Sequence, residues 1–472
     1  MSASQDPFAS GSQSGSTGAT SVTGSSGAAV GSVPGTSSGQ PAGGAAAGVP
    51  SSVVPTSTGQ AAVAGSTGSG GAGGATVSHS AVEIGVFAVK DVGAATKAIG
   101  YDGLSTGDGG TQARASIAMV NAKGGLAGHP IKAVIFEYDA TGNANTQFQA
   151  ACSMFFDDHK VKAVVTSLLI PTVQQCAGKR GVPVVTTGPR TTSAAEYAKY
   201  PLLVVGSQPS LDRVVPLQVS SLVAQGWLTT TSKVGLLYSE DNDYAGVPAL
   251  VAKSLKAAGM KPLTDQQSMP GVDDTSQVGT ASSAGQSAAL RFASKSVDRV
   301  LVVDKSGQAI AYFSIAAQNQ GYYPAFGLTT LELPATLRAV LSARQLKDAR
   351  GIGWSPLQDQ PVAEQKLTNA NQKACLAAMT KAGQNMSATT VRAAALGTCD
   401  SVLLLGAAWV DNSLTTASFS AGVRQLGSSY ASVTTLGTDF SSHRDGSSLV
   451  RPFAYTASCD CFRYTAASQR LP

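Results

Sequence analysis

Charged residues are scarce in this chain, and the shortage is greatest at its N-terminus. Only 13% of the 472 residues are Asp, Glu, Lys or Arg, and 6% are aromatic. Between residues 1 and 78 the one charged side chain is Asp6 and the one aromatic side chain is Phe8. Such a segment has too little apolar area to offset its backbone entropy. We therefore predict a disordered Ser/Gly/Ala/Thr-rich linker over 1–78.

Three functional classes lack their usual sequence signals. The formal net charge of +5 is mild, and no basic run carries interleaved aromatics, so we expect no nucleic-acid partner. No continuous apolar stretch approaches the ~20 residues that a membrane span needs. The most apolar stretch, SVLLLGAAWV at 401–410, is typical of a buried helix. The four His residues are far apart in sequence, so we expect no metal site and no cofactor.

Two patterns typical of enzymes occur, but in the wrong context. GTSSG at 35–39 fits the nucleophile elbow of serine hydrolases, and GSGGAG at 68–73 fits a dinucleotide-binding loop. Both motifs work only on a turn between a strand and a helix, and both lie in the predicted linker. We therefore expect no catalytic residues and no enzymatic activity.

All six cysteines follow residue 150, and they group in sequence-local pairs. The pairs are Cys152 and Cys176, Cys375 and Cys399, and Cys459 and Cys461. An even count suits disulfides formed in an oxidising compartment, although six buried free thiols remain the alternative. The first residues carry no signal-peptide pattern. The paired cysteines nevertheless indicate an oxidising compartment. We therefore expect an extracytoplasmic protein, anchored to the cell surface as a lipoprotein, whose leader was removed in cloning.

From residue 81 onwards, apolar strands alternate with amphipathic helices. VEIGVFAV at 82–89 is a continuous apolar run, as in a strand that is covered on both faces. Strands and intervening helices are predicted, in chain order, over 82–89, 109–123, 131–139, 144–158, 161–167, 171–180 and 182–187. This alternation predicts a parallel sheet with right-handed crossovers, in which ligands bind outside the carboxyl ends of the strands.

The alternation restarts near residue 202. Elements are predicted over 202–206, 211–226, 233–239, 245–259, 299–304, 307–320 and 324–330, then helices over 362–382, 398–410 and 417–427, and short strands around 448–455 and 459–464. Two successive blocks of this kind predict an α/β protein with two lobes.

The order of these stretches resembles the type I periplasmic binding proteins, specifically the leucine/isoleucine/valine-binding branch of ABC-transporter receptors. The matching stretches are IGVFAV, VNAKGGLAGHPIKAVIFEYDATGN, VKAVVTS, GVPVVTTG, KVGLLYSEDNDYAGVPALVAKSLKAAG, DRVLVVDKSGQAIAYFSIAAQNQGYYPAFG and HRDGSSLVRPF. The resemblance covers nearly all of 81–472. It implies two Rossmann-like lobes with parallel sheets joined by three hinge strands.

The resemblance also implies where the chain passes between the lobes. We expect crossings near 206–208, near 326–328 and in the last third of the chain. Lobe 1 would then comprise 81–206 plus roughly 328–435, and lobe 2 would comprise 207–327 plus roughly 436–472.

In the family, the loops after the third and fourth strands offer hydroxyls and backbone N–H groups to a ligand carboxylate. The corresponding residues of this chain are Ser167, Leu168, Leu169, Thr187, Gly188 and Arg190. The leucines would form an apolar wall, and the helix that follows each loop would favour an anion through its free N–H groups. Arg190 would bind a carboxylate with two hydrogen bonds, unless it faces solvent.

Residues of the second lobe would complete the site. Tyr244, in a Tyr-Ala step after a strand, would stack on the ligand or donate its hydroxyl, unless it only packs at a helix start. Tyr101 is a further candidate. Amino-acid binders of the family also place a carboxylate near the end of the second sheet, where this chain has Thr or Leu and only Glu332 lies close. This departure favours a carboxylic acid, an amide or a small polar metabolite. Asp139, Asp241 and Asp243 are possible counter-charges.

The resemblance implies a receptor outside the cytoplasm that captures a small solute by hinge closure. The solute would be polar or carboxylate-bearing, such as an amino acid, an amide or an organic acid. The receptor would act as a monomer and deliver the solute to an ABC permease in the membrane. The alternative is a ligand-sensing module of the same fold that serves a signalling or regulatory partner, with the linker as a tether. An enzyme that uses the cleft is a third class.

Overall fold

The computed structural model describes residues 79–98 and 104–471, which belong to one compact unit, Gly73–Pro472. The predicted linker over 1–78 and the candidate Tyr101 lie outside the described residues. In the described part, strands and helices form two sheets, and helices cover each sheet on both faces. We call the two halves built on these sheets the first lobe and the second lobe.

The first sheet consists of parallel strands only. Its strands are β1 Val82–Val89, β2 Ile131–Tyr138, β3 Val164–Thr166, β4 Val184–Thr186 and β5 Leu203–Val205. They lie in the order β2-β1-β3-β4-β5. Six of the eight residues of β1 are buried, which agrees with its unbroken apolar sequence.

Helices connect these strands. They are α1 Gly93–Ala98, α2 Gly109–Asn121, α3 Ala144–Ser153, α4 Pro171–Lys179 and α5 Ala194–Lys199. Helices α2, α3 and α4 lie at the predicted places, whereas α1 and α5 are not predicted. Asn143 caps α3, because its side chain accepts a hydrogen bond from the N–H of Thr146 at 2.9 Å. A π-helical turn, Met154–Asp158, continues α3. After α2 the chain turns through Gly124 and Gly125, whose φ angles of 103° and 73° are costly for other residues.

The second sheet is larger and mixed. Its strands are β6 Val234–Ser239, β7 Asp265–Met269, β8 Arg299–Val303, β9 Ala325–Thr329, β10 Arg350–Gly353, β11 Leu449–Thr456, β12 Cys461–Tyr464 and β13 Gln469–Arg470. They lie in the order β12-β11-β10-β9-β8-β6-β7, and β13 also pairs with β11. Strands β6 to β10 are parallel, whereas β11 runs antiparallel to β10 and to β12.

The second lobe contains three predicted helices, α6 Leu211–Ala224, α7 Val247–Ala257 and α9 Gln308–Asn319. It also contains α8 Val278–Ser294, α10 Pro334–Leu337 and α11 Ala343–Leu346, which the apolar pattern does not predict, and a further short helix, α12 Pro356–Asp359, follows β10. Helix α8 packs on α9 so closely that a Cβ on Gly285 would lie 2.7 Å from the carbonyl oxygen of Tyr312. Short 3-10 turns lie at Asn242–Tyr244, Thr275–Gln277 and Thr330–Glu332.

Three further helices return to the first lobe. They are α13 Ala370–Lys381, α14 Thr389–Ala408 and α15 Thr416–Leu426. The helix predicted over 362–382 is divided, because a 3-10 turn, Val362–Glu364, precedes α13. Helix α14 has 20 residues, and its most apolar 18-residue window has a mean hydropathy of 1.4. By length and composition it could span a membrane, but 67% of that window is buried inside the protein. It packs on β3, β4 and α2 as a core helix, which its apolar centre predicts.

The chain crosses between the lobes three times, and one crossing is not where the sequence predicts it. The first crossing follows β5. The second follows β10, because β9 has β10 as a parallel neighbour and the chain therefore stays in the second sheet up to Gly353. This pairing corrects the expected crossing near 326–328 and the assignment of 328–353 to lobe 1. In the third crossing, the chain runs beside β5, where the N–H of Val205 donates to the carbonyl of Arg444 at 2.9 Å.

Disulfides join the cysteines in the predicted local pairs. Cys152–Cys176 links α3 to α4, Cys375–Cys399 links α13 to α14, and Cys459–Cys461 closes the turn between β11 and β12. The predicted pairing is confirmed, and no cysteine of the described residues is free.

Candidate ligand-binding site

A cleft lies between the carboxyl ends of the two sheets, and it contains two adjoining cavities. The larger compartment, of about 320 Å³, is lined mainly by the loops after β7 and β8, the start of α9 and residues 332–340. The smaller compartment, of about 170 Å³, is lined mainly by the loops after β3 and β4 and by one face of α14. The residues that line both are Val92, Thr106, Leu333, Thr336 and Thr390. The compartments are therefore two parts of one site.

The topology explains this position. In parallel sheets the helices connect the carboxyl end of one strand to the amino end of the next, so the loops at the carboxyl ends are free to form a crevice. Both sheets present these loops to the same cleft, and each compartment is bounded by residues of both lobes. The larger compartment alone falls within the ~300–1,000 Å³ that is usual for ligand pockets.

Four predicted residues meet in the smaller compartment. Ser167 and Leu168 follow β3, and Thr187 and Gly188 follow β4, and all four line the cavity. The Thr187 hydroxyl is already used, since it donates to the carbonyl of Gly397 at 2.5 Å. Gly188 is needed for close approach of the two loops, because a Cβ there would lie 2.1 Å from the carbonyl oxygen of Ser167. That these residues contact a ligand stays a prediction.

Arg190 lies outside the lining of both compartments. Its Nη2 lies 2.9 Å from Oδ1 of Asp243 and 3.7 Å from Oδ2 of Asp241, and the Arg190 side chain is 8% exposed. Burial opposes the charge of Arg190, but the two carboxylates outweigh it and raise the pKa of the guanidinium. A buried cation needs an anionic partner, and the second lobe supplies one. Arg190 therefore does not face solvent, which excludes that alternative. Asp241 and Asp243, which were expected as counter-charges for a ligand, pair with Arg190 instead.

Of the other candidates, Tyr244 lies in the core of the second lobe and Asp139 lies at the surface. Tyr244 is fully buried in the core of the second lobe and lines neither compartment, which agrees with the packing alternative. Its hydroxyl has no hydrogen-bond partner among the described residues. Asp139 pairs with Lys90 at 3.1 Å on the exposed rim.

Glu332 does line the larger compartment, but its carboxylate serves the backbone. One oxygen accepts from the N–H of Thr329 at 2.6 Å and the other accepts from the N–H of Asp304 at 3.0 Å. The side chains of Glu332 and Asp304 are both buried, and no Lys or Arg of the described residues forms an ion pair with either of them. Burial, reinforced by the charge of Asp304, raises the pKa of Glu332 well above its ordinary value. Glu332 is thus a capping residue for the turn after β9.

Several lining residues have no counterpart among the sequence candidates. Thr106 and Thr390 come from segments far apart in sequence, and Leu333 and Thr336 follow β9. Tyr312 lies on α9 within the mainly buried stretch AYFSIAAQ, and nothing in its spacing separates it from the core residues there. Only the rule that ligands lie after parallel strands, applied to β8 and β9 as well as to β3 and β4, points to this region.

Polar contacts across the cleft hold the lobes together in this structure. The N–H of Ala144, at the start of α3, donates to Oδ2 of Asp274 in the second lobe at 3.0 Å. The Tyr138 hydroxyl donates to the carbonyl of Asp273. Together with the pair of Arg190 and Asp243, these contacts join the two lobes across the cleft. No group of three or more His, Cys, Asp and Glu residues suited to a metal ion occurs within the described ranges.

Comparison with known proteins identifies the fold. No protein-family model matches the sequence, and the comparison with curated proteins finds no match. An extracellular ligand-binding receptor from Verminephrobacter eiseniae is 16% identical, with a TM-score of 0.58, over 81% of this chain and 100% of that chain. A solute-binding protein of an ABC transporter from R. palustris, in complex with 4-hydroxybenzoate, is 14% identical, with a TM-score of 0.60, over 84% and 98%.

A third solved structure has the same architecture. An ABC transporter substrate-binding protein from Desulfitobacterium hafniense, in complex with Leu, is 15% identical, with a TM-score of 0.54, over 82% of this chain and 100% of that chain. The chain has the type I periplasmic binding fold. The predicted fold class, an α/β protein with two lobes, is thereby confirmed; the first sheet is parallel as predicted, whereas the second is parallel from β6 to β10 and antiparallel at β11 to β13.

The type I periplasmic binding fold accounts for the shape of the site. The loops at the carboxyl ends of its two sheets line one cleft. The 4-hydroxybenzoate and the leucine are ligands of the two neighbouring proteins. In this chain the side chains that line the cleft are its own, and they decide what the cleft accepts.

Proposed function

We propose that this chain is an extracytoplasmic solute-binding receptor of an ABC importer, which closes its two lobes on a small molecule. The observation that carries the proposal is the shared lining: Thr106 and Thr390 of the first lobe and Leu333 and Thr336 of the second bound the same cavity. Solved structures of this fold include ABC transporter solute-binding proteins. An ABC permease would be the partner.

Closure follows from this shared lining. A ligand that contacts both lobes gains those contacts only in the closed form, so binding shifts the open–closed equilibrium by the difference in affinity. Moving a population from 1:99 to 99:1 needs a ~10⁴-fold difference in affinity between the two forms. Contacts such as Ala144 to Asp274 and Arg190 to Asp243 already favour closure, so the ligand need supply only part of that difference.

The smaller compartment would hold one end of the solute. Ser167, Leu168 and Gly188 lie at its surface, and the Ser167 side chain makes no hydrogen bond to another described residue. An amino acid, an amide or an organic acid is the solute class that the family resemblance suggests. The disulfides suit a location outside the cytoplasm, where thiols oxidise.

A filled cleft tests the proposal. Ala394 of α14 lines the smaller compartment, so Ala394→Trp and the milder Ala394→Leu place bulk where the solute would lie. The control is Ala417→Trp, at an exposed position of α15 that lines neither compartment. We would screen amino acids, aromatic and aliphatic acids, and amides by thermal shift. A ligand at a hundred times its Kd adds ~2.7 kcal/mol of stability.

The expected result is a ligand-dependent rise in melting temperature in the parent and in Ala417→Trp, reduced in Ala394→Leu and lost in Ala394→Trp. Small-angle scattering should show a smaller radius of gyration for the bound parent. A bound solute whose affinity is unchanged in both Ala394 variants, with no change in scattering, would contradict a receptor that closes on its cleft.

A further inference from the structure

We propose that the cleft accepts a neutral, largely apolar solute that receives a hydrogen bond from the Tyr312 hydroxyl. This inference rests on the proposed receptor function and narrows its solute. Of the solutes that the family resemblance implies, it keeps the amides and excludes those that carry a carboxylate. Three features of the lining carry it: the charges present, the hydrogen bonds already made, and the buried hydroxyl of Tyr312, which has no partner among the described residues.

The first feature is the charge of the lining. Among the residues that line the two compartments there is no Lys, Arg or His, whereas Asp273, Asp274 and Glu332 line the larger compartment. The nearest expected cation, Arg190, is paired with carboxylates outside the lining. A buried anion needs a cation or several free donors to offset the loss of water. A ligand carboxylate would meet Asp274 and Asp273 in the larger compartment, where Asp273 already pairs with Lys305 at 3.3 Å, and would find no cation in the lining of the smaller one.

The second feature is that most lining polar groups are occupied by the protein. Nε2 of Gln112 donates to the carbonyl of Thr106 at 2.7 Å, and the Thr187 hydroxyl donates to Gly397. The Thr96 hydroxyl donates to the carbonyl of Leu104 at 3.0 Å, and that of Thr390 donates to Ser105. These side chains therefore present mainly their methyl and methylene groups to the cavity. Such a surface suits hydrocarbon or an aromatic ring.

The third feature is the Tyr312 hydroxyl. Tyr312 lines the larger compartment from α9 and is 8% exposed. Its hydroxyl is buried and has no hydrogen-bond partner among the described residues. Burial raises the pKa of this tyrosine, so the hydroxyl is a neutral donor at physiological pH. A buried donor without a partner is costly, and a shift of the ring that turns the hydroxyl towards the cavity would let a ligand carbonyl, ether or hydroxyl oxygen satisfy it.

Matched pairs of probes that differ in charge test the solute class. The pairs are 4-hydroxybenzoate with 4-hydroxybenzamide, 4-methylpentanoate with 4-methylpentanamide, and 4-phenylbutyrate with 4-phenylbutyramide. We would measure the affinity of the full chain for each by calorimetry and thermal shift at pH 7.5. The expected result is that each amide that binds does so at least tenfold more tightly than its acid.

The outcomes separate this inference from the receptor function. Acids that bind as tightly as their amides, or more tightly, would overturn the neutral-solute inference and leave the receptor function intact. Binding of either class that persists in Ala394→Trp would instead overturn the cleft as the site, and with it both proposals.

Two tyrosine variants test the hydrogen bond. Tyr312→Phe should leave the melting temperature of the unliganded protein unchanged or slightly higher, because the hydroxyl has no partner to lose. It should weaken binding of the best amide about two- to tenfold, the usual loss for one hydrogen bond. The matched control is Tyr244→Phe, another buried tyrosine with an unpartnered hydroxyl, which lines neither compartment. Equal affinity in Tyr312→Phe and the parent would overturn the assignment of this donor.

Discussion

Asp359 should make the protein less stable as the pH rises, and its replacement by Asn should remove that loss. Asp359 is the last residue of α12, directly after the second crossing between the lobes. Its side chain is fully buried, and Oδ2 accepts from the Tyr464 hydroxyl at 2.6 Å and from the N–H of Ser355 at 3.1 Å. Its Oδ1 has no partner among the described residues. The carboxylate therefore has two donors and no cation.

The size of this loss in stability follows from the pKa of Asp359. Burial raises the pKa of Asp359 from 3.8 to about 7, against the opposing effect of its hydrogen bonds. Because the folded-state pKa lies above the unfolded one, the folded state prefers the protonated form. The stability contributed by Asp359 is complete below pH 3.8 and is lost as the pH rises to about 7. At 1.36 kcal/mol for each pH unit, this interval corresponds to a loss of about 4 kcal/mol.

Asp359→Asn keeps the size and the acceptor oxygen but cannot ionise. Its free energy of unfolding should match that of the parent near pH 4 and exceed it by up to about 4 kcal/mol at pH 8. Urea unfolding between pH 4 and pH 8 at constant ionic strength would measure the difference, with the fluorescence of the buried Trp354 as one signal. Asp304 and Glu332 also have raised pKa values, so the comparison of the two curves isolates Asp359.

The control for this prediction is Asp411→Asn, in which an exposed carboxylate is replaced. Hydrogen bonds from Ser413 lower the pKa of Asp411, so this variant should gain no stability at pH 8. A difference between Asp359→Asn and the parent that does not change with pH, or a less stable Asp359→Asn at pH 8, would refute the reasoning. The first result would mean that folding leaves the pKa of Asp359 unchanged, and the second that the folded state stabilises its ionised form.

Two further predictions concern the cross-links and the interlobe ion pair. Replacing both cysteines of Cys375–Cys399, which lie 24 residues apart, should cost about 3.5 kcal/mol of unfolding free energy, whereas the same change in Cys459–Cys461, 2 apart, should cost about 1 kcal/mol. Equal losses in urea unfolding would contradict this loop-length argument. Arg190→Ala leaves the carboxylate of Asp243 buried without its cation and should lower the stability by about 3–5 kcal/mol. The double change with Asp243→Ala should lose less than the sum of the two single changes, and a double variant whose loss equals that sum would show that the pair is not coupled.

Much of the fold could be predicted because its strands are covered on both faces. Such strands are unbroken apolar runs, as in VEIGVFAV and RVLVV, and they stand out from the amphipathic helices between them. Strand β7 and helix α8 could not be predicted in this way. The strand DQQSM is at the sheet edge and has one apolar residue, and α8 is rich in Ala, Ser and Gly because it packs closely on α9.

The candidate site was predictable only in part. Ser167, Leu168, Thr187 and Gly188 follow predicted parallel strands, and the chain topology alone is enough to bring them together. Arg190 lies in the same loop, but its charge is matched by acids from the other lobe, which no local pattern reveals.

The sequence by itself determined the alternation of strands and helices, the two-lobed α/β fold and the local pairing of the cysteines, because each depends on residues that are near in the chain. Only the tertiary structure decided that the second crossing follows β10, that Arg190 forms an ion pair with Asp243 of the other lobe, and that the hydroxyl of Tyr312 has no partner among the described residues. These features depend on which distant residues meet when the two lobes pack, and burial then sets their charge and hydrogen bonding.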